Sequence, residues 1–183
     1  MNRRVIFVPD DYWTTPPKEN IDMTTPADAS DYRRAGVFLK WRCHNNRDGV
    51  NAALQEALDT GRTAQFIAAV LATLSALAAQ LLTESGQHAF AEGIDTYTNP
   101  DYDPDNLVPH EWRRAARLIS AHARQDTNDI AAVLQEQNEL TATILALIDV
   151  YISLVPGLST DVGMHIVDNG IRRLTGMEAE GNQ

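Results

Sequence analysis

Apolar residues recur every three or four positions along most of the chain, which is the spacing of one face of an α-helix. In the first such segment, Tyr32, Ala35, Phe38 and Leu39 share a face. The pattern predicts an all-α fold, a helical bundle, with Asp48 as the N-cap of its second helix. The predicted helices cover residues 27–45, 48–58, 63–82, 84–96, 109–125, 128–139, 140–155 and 160–174.

An internal duplication organises these helices. Residues 31–56 align without gaps to residues 111–136, and after a short deletion the alignment resumes by pairing positions 83–94 with positions 160–171. Each copy contains four predicted helices, so we expect two tandem, degenerate four-helix repeats, residues 27–96 and 111–175. The clearest matches pair Arg33, Arg34 and Ala35 with Arg113, Arg114 and Ala115, and Thr83, Gly86 and His88 with Thr160, Gly163 and His165.

Three segments lie outside the two copies. Residues 1–26 contain a short strand-like run, Arg3–Val8, and then a stretch interrupted by prolines, which indicates an extended N-terminal arm rather than a helix. Residues 97–110 form an acidic linker that also contains prolines. Residues 176–183 are polar, and we expect a flexible tail there.

Composition limits the class of protein. The chain has 183 residues, one cysteine and a net charge of −10. A single cysteine excludes an internal disulfide, which favours a reducing, cytoplasmic location, and the apolar run at residues 5–8 is too short for an export signal. The acidic residues are spread thinly, and the arginines of the second half are outnumbered by carboxylates, so we expect no direct nucleic-acid binding. The longest apolar stretch, residues 67–82, is shorter than the roughly 20 residues of a membrane span.

Two groups of residues suggest metal ligands. Asp101, Asp103 and Asp105 have the spacing that opens a calcium loop, but the glycine and the final glutamate of that loop are missing. His88 and His165 each follow a carboxylate by four positions, and each such pair supplies only two ligands. We therefore expect no bound metal and no cofactor.

Cys43 and His44 are the nearest approach to a catalytic pair. Adjacent residues on a helix point about 100° apart, so these two side chains cannot form a nucleophile–base dyad by themselves. The second copy has Ala123 and Arg124 at the same positions. The sequence therefore predicts no catalytic residue.

Asp149 interrupts an apolar helix and needs a partner if it is buried. We expect low exposure and an ion pair or hydrogen bond to a group such as Arg113 or Arg114, which would form a buried polar site. A binding-site acid is the alternative. The arginine pairs of the two copies also suit phosphate, although their position beside Asp31 and Glu111 favours internal ion pairing.

The arm carries the clearest candidate interaction residues: Val5, Phe7, Tyr12 and Trp13. A lone strand-like run is not stable in water and must dock on something. It can dock on its own bundle, on a second subunit to form a homodimer, or on a foreign protein. Aromatic residues of this kind are typical of interface hot spots.

The stretch Asp31-Tyr32-Arg33-Arg34-Ala35, followed by Cys43-His44, Gly61-Arg62 and the alanine- and leucine-rich helix after it, resembles small acidic helical proteins encoded by phages of actinobacteria. The resemblance implies a phage or prophage setting and a role inside the infected cell. It carries no functional residue over to this chain.

These observations favour a non-enzymatic protein that binds a host or phage protein, or itself. One alternative is a structural phage subunit that self-assembles through the arm. Another is a metal-dependent hydrolase with a site between the two copies. A stoichiometric protein partner favours the first hypothesis, and a tightly bound metal without a partner favours the hydrolase.

Overall fold

A computed structural model describes residues 25–99, 101, 107–136 and 140–181. Within these ranges the chain is helical and contains no strand, which confirms the prediction of an all-α bundle. The α-helices are α1 (Ala29–Cys43), α2 (Arg47–Asp59), α3 (Thr63–Leu81), α4 (Glu84–Thr98), α5 (His110–Ala123), α6 (Thr127–Gln135), α7 (Leu140–Leu154) and α8 (Asp161–Gly181). A short 3-10 turn, Pro156–Ser159, joins α7 to α8.

Two helices continue beyond their predicted ends. α4 extends to Thr98, into the predicted linker, and α8 extends to Gly181 across most of the predicted tail. Most of the predicted arm and the centre of the predicted linker lie outside the described residues. Helices α1 to α4 are called the first half below, and α5 to α8 the second half.

The turn between α1 and α2 is built by two asparagines. Asn45 has a φ of 53°, which an asparagine tolerates better than most residues. The side chain of Asn46 then accepts a hydrogen bond of 2.9 Å from the backbone N–H of Gly49. The prediction that Asp48 is the N-cap of α2 was wrong. Asp48 lies in the first turn of α2, where its carboxylate stabilises the positive end of the helix dipole.

The turn between α5 and α6 has the same geometry. Gln125 has a φ of 56°, and the side chain of Asp126 accepts a 3.1 Å hydrogen bond from the N–H of Asp129. The last helix of each half also starts alike. Thr83 caps α4 by accepting from the N–H of Gly86 at 3.3 Å, and the hydroxyl of Thr160 accepts from the N–H of Gly163 at 3.4 Å. Local sequence therefore produces matching turns in the two halves.

The first helix of each half packs against the last helix of the other half. α1 packs on α2 and α3 of its own half and on α8 of the second half. α5 packs on α6 and α7 of its own half and on α4 of the first half. The last helix of each half thus covers the first helix of the other, and the apolar helices α3 and α7 touch between them.

One hydrophobic core runs through both halves. Phe38 of α1 meets Phe66 of α3 edge to face, with ring centroids 5.5 Å apart. Phe90 of α4 lies 5.1 Å from Tyr151 of α7. The Tyr151 hydroxyl is 3.0 Å from that of Ser75 on α3, and burial raises the pKa of Tyr151 to about 12. This hydrogen bond links the two halves across the centre.

Among the described helices, α3 alone is long and apolar enough to cross a membrane. In this structure 56% of an apolar stretch of 18 residues in α3 is buried inside the bundle. A helix in the core of a bundle can be equally long and apolar, and the sequence predicted a buried core helix at this position.

Candidate functional site

The most deeply buried charge in the described residues is the carboxylate of Asp31, whose residue is 0% exposed. Arg62 donates to it from Nε at 3.1 Å, and Arg34 donates from Nη1 at 3.2 Å. Its other oxygen accepts from the backbone N–H of Asp28, which completes a capping box at the start of α1. A buried carboxylate is tolerated only with such partners, so this cluster stabilises the fold.

Arginine–glutamate pairs join the first and second helices of each half. The guanidinium of Arg34 lies 2.9 Å from Glu56, and that of Arg114 lies 3.0 Å from Glu136. Burial raises the pKa of Glu56, but hydrogen bonds from Arg34 and Arg33 outweigh it and hold that pKa below its usual range. These guanidiniums bind carboxylates of the chain itself, which supports the predicted internal ion pairing over phosphate binding.

Asp149 is half-buried, with its side chain 30% exposed. Its oxygens accept hydrogen bonds from Arg42, at 3.0 Å from Nε and 2.5 Å from Nη2. The sequence suggested Arg113 or Arg114 as partner. The structure instead uses an arginine near the end of α1, because this side of α7 faces the first half.

Cys43 lies beside this ion pair and is also half-buried. Burial raises the pKa of its thiol to about 11, so the thiol remains protonated at neutral pH. A protonated thiol is a poor nucleophile. His44 is exposed at the end of α1. The thiol of Cys43 is therefore not activated as a nucleophile at neutral pH.

The histidines of the last helices are exposed. His88 approaches Glu92, with its Nε2 atom 3.3 Å from the carboxylate, rather than Glu84. Among the described residues no three histidine, cysteine or acidic side chains converge on a point that could hold a metal ion. Asp103 and Asp105 of the predicted linker lie outside the described ranges.

The predicted interaction residues Val5, Phe7, Tyr12 and Trp13 also lie outside the described residues, so that assignment stays a prediction. The base of the arm is described, and its backbone is bound by side chains near the start of α3. Gln65 donates to the carbonyl of Thr25 at 3.4 Å, and Arg62 donates to the carbonyl of Pro26 at 3.3 Å.

The remaining surface of α3 is unusual for an acidic protein. No residue of α3 is charged. Its outward face is defined here as Gln65, Ala68, Ala72, Ala76 and Ala79, which fall within a narrow sector of the helix. Gln65 is buried beneath the base of the arm, the next two alanines are half-buried, and the last two are exposed.

No family model matches the chain, and neither a curated protein nor a solved structure is significantly similar to it. The candidate site is therefore inferred from the geometry of the described residues. Sequence reasoning treated α3 as a buried core helix and so missed its outward face. The missing charge over 19 residues was the signal that could have revealed it.

Proposed function

We propose that this chain is a non-enzymatic protein-binding protein that uses the outward face of α3. The supporting observation is that face itself. Exposed alanines without any neighbouring charge on the helix lie on the surface of a chain with a net charge of −10. Charged residues are depleted at the centres of protein interfaces. The resemblance to phage proteins extends the proposal to a host or phage partner inside an infected cell.

A duplication of one four-helix unit is part of this proposal. It is supported by the matched turns at Asn45 and Gln125, by the equivalent ion pairs of Arg34 and Arg114, and by the reciprocal packing of the last helices. Two such units would begin with the same surfaces and diverge. Each surface of the first half therefore has a counterpart with which to compare it.

The counterpart of the α3 face lies on α7 and has changed. In the alignment that pairs Thr83 with Thr160, Ala72 corresponds to Asp149, and Ala76 corresponds to Ser153. Asp149 is tied to Arg42 by an ion pair. The α7 surface thus carries a charge that is paired within the chain, whereas the α3 face is uncharged. This difference favours α3 as the binding surface.

A charge placed on the face tests the proposal. Ala76→Glu leaves the buried core untouched because Ala76 is exposed. Ala52→Glu, at an exposed alanine of α2, is the matched control. With tagged full-length chains in an actinobacterial lysate, we expect a stoichiometric partner to bind the wild type and the control. We expect the α3 variant to lose it, because the new carboxylate would be desolvated in the interface.

Equal capture by both variants would contradict the α3 assignment. Circular dichroism and thermal unfolding of both variants must first match the wild type. Light scattering on the same samples tests the self-assembling alternative: a wild-type dimer that Ala76→Glu dissociates would make a second copy of the chain the partner.

A further inference from the structure

A small crevice lies where the turn between α1 and α2 meets α7. Arg42 at the end of α1 and Arg47 and Asn51 of α2 line it with polar groups, and Val50 and Leu145 line it with apolar groups. Its volume is about 20 Å³, which is enough for about one water-sized group. The crevice therefore fits the end of a side chain that belongs to a larger molecule, and it is too small to enclose a cofactor.

The cationic groups of the crevice have unused hydrogen-bond donors. Arg42 donates to Asp149 from Nε and Nη2, and its Nη1 atom makes no hydrogen bond within the described residues. Arg47 is exposed and pairs with no carboxylate of the described residues. None of the residues that line the crevice is acidic. Because Asp149 balances only one of the two guanidiniums, one positive charge has no ion-pair partner in the part of the chain that the structure describes.

The matching turn of the second half shows which residues the turn itself requires. Both turns have a residue with a positive φ, a capping side chain and a buried aliphatic residue, which are Asn45, Asn46 and Val50 in the first half and Gln125, Asp126 and Ile130 in the second. At the positions that correspond to Arg47 and Asn51, the second half has Thr127 and Ala131. Formation of the turn therefore does not explain Arg47 or Asn51.

A carboxylate matches this lining in charge and in chemistry. Guanidinium groups bind carboxylates through charge-assisted hydrogen bonds, and the amide of Asn51 is a further donor. One carboxylate balances the one unpaired charge, whereas a phosphate monoester carries about −1.5 to −2 at neutral pH. The Debye length is about 8 Å at physiological ionic strength, so the distant acidic residues of the chain repel such a ligand only weakly.

We propose that this crevice binds a carboxylate on an acidic segment of another protein, with Arg42, Arg47 and Asn51 as the donors. Val50 and Leu145 would contact the methylene groups of a glutamate that enters it. No residue of α3 lines the crevice. The site therefore goes beyond the function proposed above and does not depend on the outward face of α3.

Nuclear magnetic resonance titration of the ¹⁵N-labelled full-length protein tests the site at about 150 mM salt. The probes are a capped peptide with two adjacent glutamates, the same peptide with glutamines in their place, and inorganic phosphate. We expect the glutamate peptide to shift the side-chain signals of Arg47 and Asn51 until they saturate. The absence of saturable shifts would overturn the proposal. Saturable binding of the glutamine peptide, or tighter binding of phosphate than of the glutamate peptide, would also overturn it.

Variants with the same change in net charge separate the site from a general charge effect. Arg47→Gln should weaken binding of the glutamate peptide about fivefold or more, because charge-assisted hydrogen bonds are lost. Thr127→Glu, at the corresponding exposed position of α6, should leave the affinity within about twofold of the wild type. Circular dichroism must first show that both variants fold. Equal losses in the two variants would overturn the proposal.

Asp149→Asn gives the opposite expectation. Removal of this carboxylate frees the Nε and Nη2 donors of Arg42 and should tighten binding of the glutamate peptide. Weaker binding by a folded Asp149→Asn variant would overturn the assignment of Arg42. Ala76→Glu on α3 should leave peptide binding unchanged, so the failure of this inference and the failure of the proposed function are distinguishable.

Discussion

The two halves have the same order of helices and matching turns, but they are held together by different chemistry. In the first half, Asp31 is fully buried between two guanidiniums. In the second half, the corresponding residue, Glu111, is only half-buried. Turn geometry is set by a few local residues, so it can stay the same in both halves while the contacts between helices change.

The two reciprocal helix contacts differ in the same way. Between α1 and α8, Lys40 binds Asp168 at 2.7 Å and Arg33 binds Glu178 at 3.1 Å. Between α4 and α5, the rings of Tyr97 and Trp112 meet edge to face at 5.5 Å. One contact thus combines packing with ion pairs, and the other contains an aromatic pair. The contact between α1 and α8 is consequently more sensitive to charge and pH than the contact between α4 and α5.

The buried carboxylate should show the largest difference between the halves. Asp31→Ala removes the counter-charge of Arg62 and Arg34 and should lower the free energy of unfolding by roughly 3–5 kcal/mol. Glu111→Ala, its counterpart, should cost less than about 1 kcal/mol because its side chain is partly solvated. Urea unfolding measures both. Similar losses for the two variants would show that burial does not distinguish these positions.

The glycines whose N–H groups donate to the threonine caps, Gly86 in α4 and Gly163 in α8, form a second pair of equivalent positions. A Cβ atom at Gly163 would lie 2.5 Å from the carbonyl oxygens of Gly157 and Leu158, which belong to the backbone and cannot rotate away. At Gly86 the nearest atoms are side-chain atoms of Leu82 at 3.3 Å. We expect Gly163→Ala to cost about 1–3 kcal/mol.

Gly86→Ala should be close to neutral, since the gain in helix propensity of up to about 1 kcal/mol offsets the tighter contact. Thermal unfolding by calorimetry compares the two variants directly. A larger loss at Gly86 than at Gly163 would contradict the packing seen at the start of α8.

The ion pair between Arg42 and Asp149 tests how strongly the halves are coupled. A double-mutant cycle with both alanine variants should give a coupling energy of about 1 kcal/mol, because both groups are partly exposed. The coupling should shrink in high salt. Zero coupling at low salt would mean that the pair forms without stabilising the contact between α1 and α7.

Acid should weaken the contacts that α1 makes with α8 and α2 before those that α5 makes with its neighbours. A hydrogen bond from Lys40 lowers the pKa of Asp168, and arginine hydrogen bonds lower that of Glu56. A lowered pKa in the folded state means that the stabilisation is present above the unfolded pKa, near 4, and is lost as the pH falls through the folded value. Hydrogen exchange between pH 5 and pH 3 should show α1 and α2 opening first. Earlier opening of α5 and α6 would contradict this order.

Much of the fold could be predicted because its signals are local. The apolar period and the capping residues give most helix starts to within a residue or two, as at Thr63 and His110. The end of α8 could not be read this way. Its last turns include Glu178, which pairs with Arg33 on α1, and that contact depends on the tertiary packing.

The candidate site was less accessible to sequence reasoning. The partner of Asp149 depends on which side of α7 faces α1, and no local pattern indicates that Arg42 lies there. The outward face of α3 is similar, because alanines fit both a core and an exposed surface. Only the packing of the neighbouring helices shows that Ala76 and Ala79 are exposed.

The most direct test of the proposed binding surface is a hydrogen-exchange footprint of the full-length protein with and without its captured partner. We predict that the partner slows amide exchange in the C-terminal part of α3, around Ala76 and Ala79. The footprint should leave the exposed side of α2, around Ala52, unchanged. Protection confined to α2, α6 or another surface, with α3 unaffected, would contradict the account.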